Sequence, residues 1–411
     1  MSPSGTRRRV AELDVLLLTA GIWFLAKFLR YAFPPLFGPF QASYGVSNAV
    51  LGSAFTGFML IYAAVQFPSG VLADRIGSIT VIAVGAVVAA AAALSLVVAS
   101  PFPILIVAML VMGAGTGAHK TVAVRLLSRA YPARTGRALG VLDTFGAFGG
   151  VVAPAAIVAA GGVAYAFGES WRVIFLLAGV AGLALAGAFL ARVPDRVPGE
   201  AAADADGTGA TGIDADEVRR YAGLFRDRRL TTFVAVTLLF SFTYNGLVAF
   251  APLYLTETAG VSEATAGLLY SALFLASLVQ LVTGELSDRI GRLPIVVGTL
   301  GLAAAALVAF VSLTGSAGPI ALGGALVASG LGLHGFRPVR SAYLMSAIPD
   351  DVAGGGLGVV RTLLMGGGAV APAIVGALSD VAGFRTSFRL LAASIALGAL
   401  LALLLLVTDD G

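Results

Sequence analysis

Long apolar runs alternate with short polar, glycine- or proline-bearing connections along almost the whole chain. A bilayer core of about 30 Å needs about 20 mostly apolar residues per helix. The pattern divides into twelve spans of that kind: 12–36, 48–73, 78–98, 102–128, 136–163, 170–191, 231–256, 263–286, 293–313, 318–346, 353–380 and 385–407. The first follows Arg7, Arg8 and Arg9, yet it contains Lys27 and Arg30 and no small-residue cleavage site follows it. It therefore reads as an uncleaved span rather than a signal peptide. The expectation is an all-α integral membrane chain whose first partner is the lipid bilayer.

Composition agrees, with 58% hydrophobic and 12% charged residues, against roughly 45–50% and about 25% in soluble chains. The 53 glycines follow neither a collagen period nor a serine-rich tract and suit close helix packing in lipid. With no cysteine and two histidines, thiolate and histidine-rich metal centres are excluded, and no metal or cofactor is expected. Charge placement says more than the net +4. Sixteen basic residues fall in the N-terminus and in or at the edges of the even-numbered connections, three at the edges of the odd-numbered ones (Arg172, Arg385, Arg389) and seven deeper inside spans. The positive-inside rule then puts both termini in the cytoplasm of a multi-pass plasma-membrane protein. It also explains the basic residues off the membrane without any nucleic acid. The longest connection, 192–230, is an acidic, glycine-rich linker with a basic end, dividing an N-terminal bundle (1–191) from a C-terminal one (231–411).

The two halves repeat. QFPSGVLADRIG (66–77) aligns with QLVTGELSDRIG (280–291) at an offset of 214, and GRALGVLDTFGAFGGVVAPAA (136–156) with GGGLGVVRTLLMGGGAVAPAI (354–374) at 218. Parallel repeats of six helices suit carriers that rock one half against the other around a midplane site. These residues resemble the major facilitator superfamily of secondary transporters. Its Gly-x-x-x-Asp-Arg-x-Gly-Arg signature is matched by Gly70, Asp74, Arg75 and Gly77, and again by Gly284, Asp288, Arg289, Gly291 and Arg292; Ser78 departs from it. The resemblance implies two pseudo-symmetric six-helix bundles, with these loops as conformational gates. Physically, glycine permits the tight turn, and an acid–arginine cluster can bond in one conformation and release in another.

Lys27, Arg30, Lys120, Arg125, Arg337, Arg340 and Arg361 lie inside spans, against one clearly intramembrane acid, Asp143. A charge at the bilayer centre costs at least about 2.5–3.5 kcal/mol, so a cavity that receives an anion is the simplest account of the excess. Lys27, Arg30 and Tyr31 share a helical face, as do His334, Arg337 and Arg340, and Lys120 aligns with Arg337 at an offset of 217. Pro34 and Pro338 free the carbonyls of Arg30 and His334. Candidate substrate ligands are therefore Arg30, Lys120, Arg337, Arg361, Lys27, Tyr31 and His334, with neutral hydrogen bonds from Asn245, Gln66 and Gln280. Arg125 and Arg340, near cytoplasmic helix ends, are read with the gates, where pairing with the acidic signature loops (Asp74, Asp288) or snorkelling competes with ligand binding. Asp143 is the candidate proton carrier.

Within the superfamily, LRYAFPPLFGPFQASYGVSNAVLGSAFTGFMLIYAAVQFPSGVLADRIG and SRAYPARTGRALG look like the organic-anion and anion–cation symport branches, including oxalate/formate and sugar-phosphate exchangers. Those branches place an arginine in helix 1 and basic residues in the second half, which Arg30, Arg337 and Arg361 satisfy. The expected function is alternating-access transport of a small organic or inorganic anion by a monomer, as a symporter with protons or an antiporter for a counter-anion. The alternative is a proton-coupled drug or metabolite exporter. The exporters' helix-5 signature is degraded, because Ala153, Ile157 and Val158 stand where glycines belong. No clustered acid, metal or nucleophile supports an enzyme.

Overall fold

The computed structural model describes residues 3–166, 168–194, 197, 223, 225–347 and 363–409, with residues 3–12 and 409 by backbone alone. In chain order its α-helices are α1 Pro3–Ala32, α2 Phe37–Tyr44, α3 Asn48–Ile76, α4 Ser78–Leu94, α5 Phe102–Ala130, α6 Thr135–Ala160, α7 Arg172–Arg192, α8 Arg228–Glu257, α9 Glu263–Leu275, α10 Gln280–Ile290, α11 Arg292–Leu313, α12 Pro319–Ala347, α13 Ala371–Ala382 and α14 Phe384–Asp409. Joined across short breaks, they make eleven stretches long and apolar enough to cross a membrane; Ser78–Leu94 is a shorter apolar helix. Helices fit this composition, because in lipid the backbone must satisfy its own hydrogen bonds and a long apolar helix does so within each segment.

Two predicted spans differ in detail. The pattern ends the first at 36; α1 stops at Ala32, a 3-10 turn follows over Pro34–Leu36, and α2 carries the helix on to Tyr44. Proline cannot donate back into α1, but it is tolerated in the first turn of a new helix. The span expected at 263–286 is two helices, α9 and α10, separated by a 3-10 turn at Ala276–Val279 and ending at Ile290.

The signature glycines make the turns their sequence implies. Gly77 has φ 84° between α3 and α4, and Gly291 has φ 95° between α10 and α11. Side chains rarely adopt that region.

Contacts divide the chain into two units, Met1–Tyr44 with Gly57–Gly209, and Gly45–Thr56 with Ala210–Gly411. Gly45–Thr56 thus group with the second unit, whereas the sequence pattern puts all of 1–191 in the first bundle. Two hydrogen bonds accompany this grouping: Asp380 accepts from the backbone N–H of Asn48 (3.1 Å) and Ala49 (2.8 Å), capping the start of α3. The Ala373 N–H also donates to Thr56 Oγ1 at 3.1 Å.

Inside each unit the repeat survives as packing. In the first, α4 crosses α5 so closely that a Cβ on Gly115 would stand 2.6 Å from the Gly85 carbonyl and 2.7 Å from Ala89 N. In the second, a Cβ on Gly332 of α12 would stand 2.5 Å from the Thr299 carbonyl and 2.6 Å from Ala303 N of α11. Positions 115 and 332 are 217 apart, the Lys120-to-Arg337 spacing.

Arg172 begins α7, where the helix dipole disfavours a cation. It is buried, and its guanidinium donates to the carbonyls of Leu96 (2.9 Å) and Val98 (2.6 Å), just beyond α4, and lies 4.4 Å from the Trp171 ring centre. Arg385, next to the start of α14, does the same for the Thr314 carbonyl after α11, at 2.7 Å. Charge-assisted bonds are worth about 1.5–3 kcal/mol each, so Arg172→Gln should cost about 3 kcal/mol or more. A melt in detergent should show clear destabilisation; an unchanged transition would mean that water caps these carbonyls equally well.

Candidate functional site

In the first unit the intramembrane cations Lys27, Arg30 and Lys120 gather on aromatic faces of α1 and α3. The Lys27 ammonium lies 4.7 Å from the Trp23 ring centre and 5.7 Å from that of Tyr31, while Lys120, from α5, approaches the same Trp23 ring at 5.4 Å. His119 stacks on Trp23 with ring centroids 5.8 Å apart and holds the Thr19 carbonyl at 3.0 Å. Trp23 is buried because α6 presents Gly146 to it. Arg30 lies between Tyr31 and Tyr62, 5.5 and 5.6 Å from their ring centres, and 4.0 Å from Met59 Sδ. Cation–π contacts of this kind contribute about 0.5–2 kcal/mol, which offsets only part of the cost of charge at that depth.

Lys120 is also ion-paired with Asp143 of α6. The pair is asymmetric in exposure, 19% for the lysine side chain and 65% for the aspartate. Asp143 is therefore a partner of the cation cluster, available to compete with any anion that reaches Lys120.

The second unit builds a related cluster from α8 and α12. The Arg337 guanidinium lies 4.9 Å from the Tyr244 ring centre and that of Arg340 lies 5.7 Å from Phe240; the two rings stack 6.0 Å apart. His334 meets Tyr244 edge-on at 5.6 Å. Phe240 stands 217 positions after Trp23, so both halves put an aromatic platform at the same place in the repeat.

Other predicted residues sit elsewhere. Gln66 is buried on α3, one turn beyond Tyr62. Asn245 donates to the Ser241 carbonyl at 2.8 Å, and Gln280 to the Ser277 carbonyl at 3.0 Å across the 3-10 turn. Arg361 lies outside the described residues. Among the gate residues, Arg125 pairs with Asp74. Arg289 pairs with Glu285 along α10, and Arg292 donates to Ser346. Gly70 has open space around it, Gly284 nearly so, and Arg75 and Asp288 are exposed. Arg340 lies on Phe240, a contact that sequence alone does not suggest.

Trp23 is the platform that sequence reasoning misses. The available signal is its place four residues before Lys27, as one of only two tryptophans in the chain.

The chain resembles known carriers along its length. A probable sulfoacetate transporter of Cupriavidus necator is 29% identical over 89% of this chain and 87% of its own. A multidrug resistance protein B homolog of Mycobacterium tuberculosis is 27% identical over 88% and 71%. Among solved structures, a bacterial homolog of the human lysosomal transporter Spinster superposes with a TM-score of 0.78 at 16% identity, covering 96% of this chain and 97% of that one. The Major Facilitator Superfamily model matches residues 19–365 and 233–411. Supported by that match over nearly the whole chain, by the doubled signature and by the fold, the chain belongs to the major facilitator superfamily of secondary transporters.

Proposed function

We propose that this transporter carries a small organic anion, with a two-carbon sulfonate–carboxylate such as sulfoacetate as the leading candidate, by proton symport or anion exchange. The observation that carries the reading is the placement of Lys27, Arg30 and Lys120 in one unit, and of Arg337 and Arg340 in the other, on aromatic faces inside membrane-crossing helices. Asp143 balances one of these charges. An anion supplies what cation–π contacts leave uncompensated. The sulfoacetate named for the Cupriavidus necator relative has this chemistry. The arginine bias of the connections supports a plasma-membrane location with both termini in the cytoplasm. We read the working unit as a monomer.

A second reading, export of lipophilic compounds, is favoured by the multidrug resistance relatives and by the aromatic character of both platforms. Thermal unfolding of the purified protein separates the two. At a hundredfold excess over Kd, a ligand adds about 2.7 kcal/mol to the unfolding free energy. Sulfoacetate, ethanesulfonate or malonate should raise the transition and tetraphenylphosphonium should not. Stabilisation by the lipophilic cation alone would reverse the choice.

A further inference from the structure

The chain has two histidines, and their settings differ. His119 is anchored by the Thr19 carbonyl and by stacking on Trp23. His334 is just as buried, at 2% exposure, yet neither of its ring nitrogens has a hydrogen-bond partner among the described residues. Its ring neighbours are Tyr244 and Phe274, at 5.6 and 6.2 Å. An unsatisfied imidazole in an aromatic cage costs stability that a leucine there would not.

The charged and titratable groups around it are few. Arg337 lies one turn further along α12, three residues from His334. From α8 comes the Tyr244 ring, and from α9 Tyr270, whose hydroxyl donates to the Val248 carbonyl at 2.7 Å. The charged residues of α10, Glu285, Asp288 and Arg289, are exposed, and Glu285 and Arg289 pair with each other. Between Leu293 and Leu313, α11 carries no titratable side chain.

We propose that His334 takes up the co-transported proton when an anion settles against Arg337. The Arg337 guanidinium is half-buried one helical turn away, so an anion that settles against it brings negative charge close to the ring. An anion reverses the sign of the local field. For a dianion, Arg337 and a protonated His334 together cancel its charge, and a buried complex without net charge avoids most of the desolvation cost. The ring nitrogen's lone pair accepts a proton from water on the loading side, and the imidazolium returns it to water when the anion leaves. This inference rests on the anion reading above and moves the proton from Asp143, which is committed to Lys120, to His334.

Linkage sets the test. If binding takes up a proton, affinity for the anion falls as pH rises, by up to about tenfold per unit, between the proton affinities of the free and the loaded ring. Titration calorimetry of the full-length protein with sulfoacetate, in buffers of different ionisation enthalpy between about pH 5 and 8, should give an uptake approaching one proton per anion. His334→Gln, with His334→Asn as a second neutral replacement, should abolish that uptake and flatten the pH slope, whatever the residual affinity. Asp143→Asn should keep both. Wild-type binding without proton uptake, a slope retained in the His334 variants, or a slope lost in Asp143→Asn would each overturn the inference while leaving anion transport standing. Failure of the wild type to bind any anion tested would remove both.

Discussion

Gly332→Leu and Gly115→Leu should each yield no folded transporter. At both positions the first side-chain atom would meet backbone of the neighbouring helix at 2.5–2.7 Å, and backbone cannot rotate away as a side chain can. Ordinary overpacking costs about 1–3 kcal/mol because side chains and backbone can shift. Here the helices must separate, and close packing between small residues is much of what holds membrane helices together. Gly324→Leu is the control, since it lies on α12 with nothing within 4 Å of the place its Cβ would take. Size-exclusion profiles of fluorescent fusions should show a monodisperse peak for wild type and Gly324→Leu, and loss of that peak for the other two. Normal peaks and melting for Gly332→Leu would mean that α11 and α12 do not approach this closely.

The same two glycines show what the sequence could and could not reveal. The offset of 217 between them belongs to the repeat legible in the aligned signatures, and the tight turns at Gly77 and Gly291 follow from the same motif. The intramembrane cations stand out because charge in a long apolar run has few physical explanations. Trp23 does not, because an aromatic residue in an apolar helix looks like any other packing residue until tertiary structure sets two lysines on its face. The Lys120–Asp143 pair is equally hidden, because pseudo-symmetry aligns Asp143 with Arg361 and says nothing of contact across α5 and α6. Arg172 and Arg385, two of the three basic residues that oppose the charge bias, are carbonyl caps. A rule based on counting charges cannot distinguish a topological charge from a capping one. The bonds from Asn48 and Ala49 to Asp380 join positions more than 300 residues apart and have no local signal in the sequence.

Lys120→Gln should weaken anion binding by roughly ten- to a hundredfold, and Asp143→Asn should strengthen it. A charge-assisted bond to the anion is worth about 1.5–3 kcal/mol, which sets the first figure. The second is smaller, because the Asp143 side chain is 65% exposed and its hold on Lys120 is screened by solvent. An exposed pair is worth about 0.2–1 kcal/mol, so removing this competitor should tighten binding by at most about fivefold. The double variant should bind like Lys120→Gln alone, since Asp143 matters to the anion only through the lysine. Arg337→Gln should bring a loss of the same order as Lys120→Gln, because it removes the same kind of charge-assisted bond, and equal losses favour two acidic groups on the substrate over one. Calorimetry on the four variants closes the cycle. If Asp143→Asn loses as much affinity as Lys120→Gln, the ion pair serves to fasten α5 to α6 and Lys120 is no ligand. If Arg337→Gln alone is affected, the anion is held by the second unit, and the cations around Trp23 need another explanation.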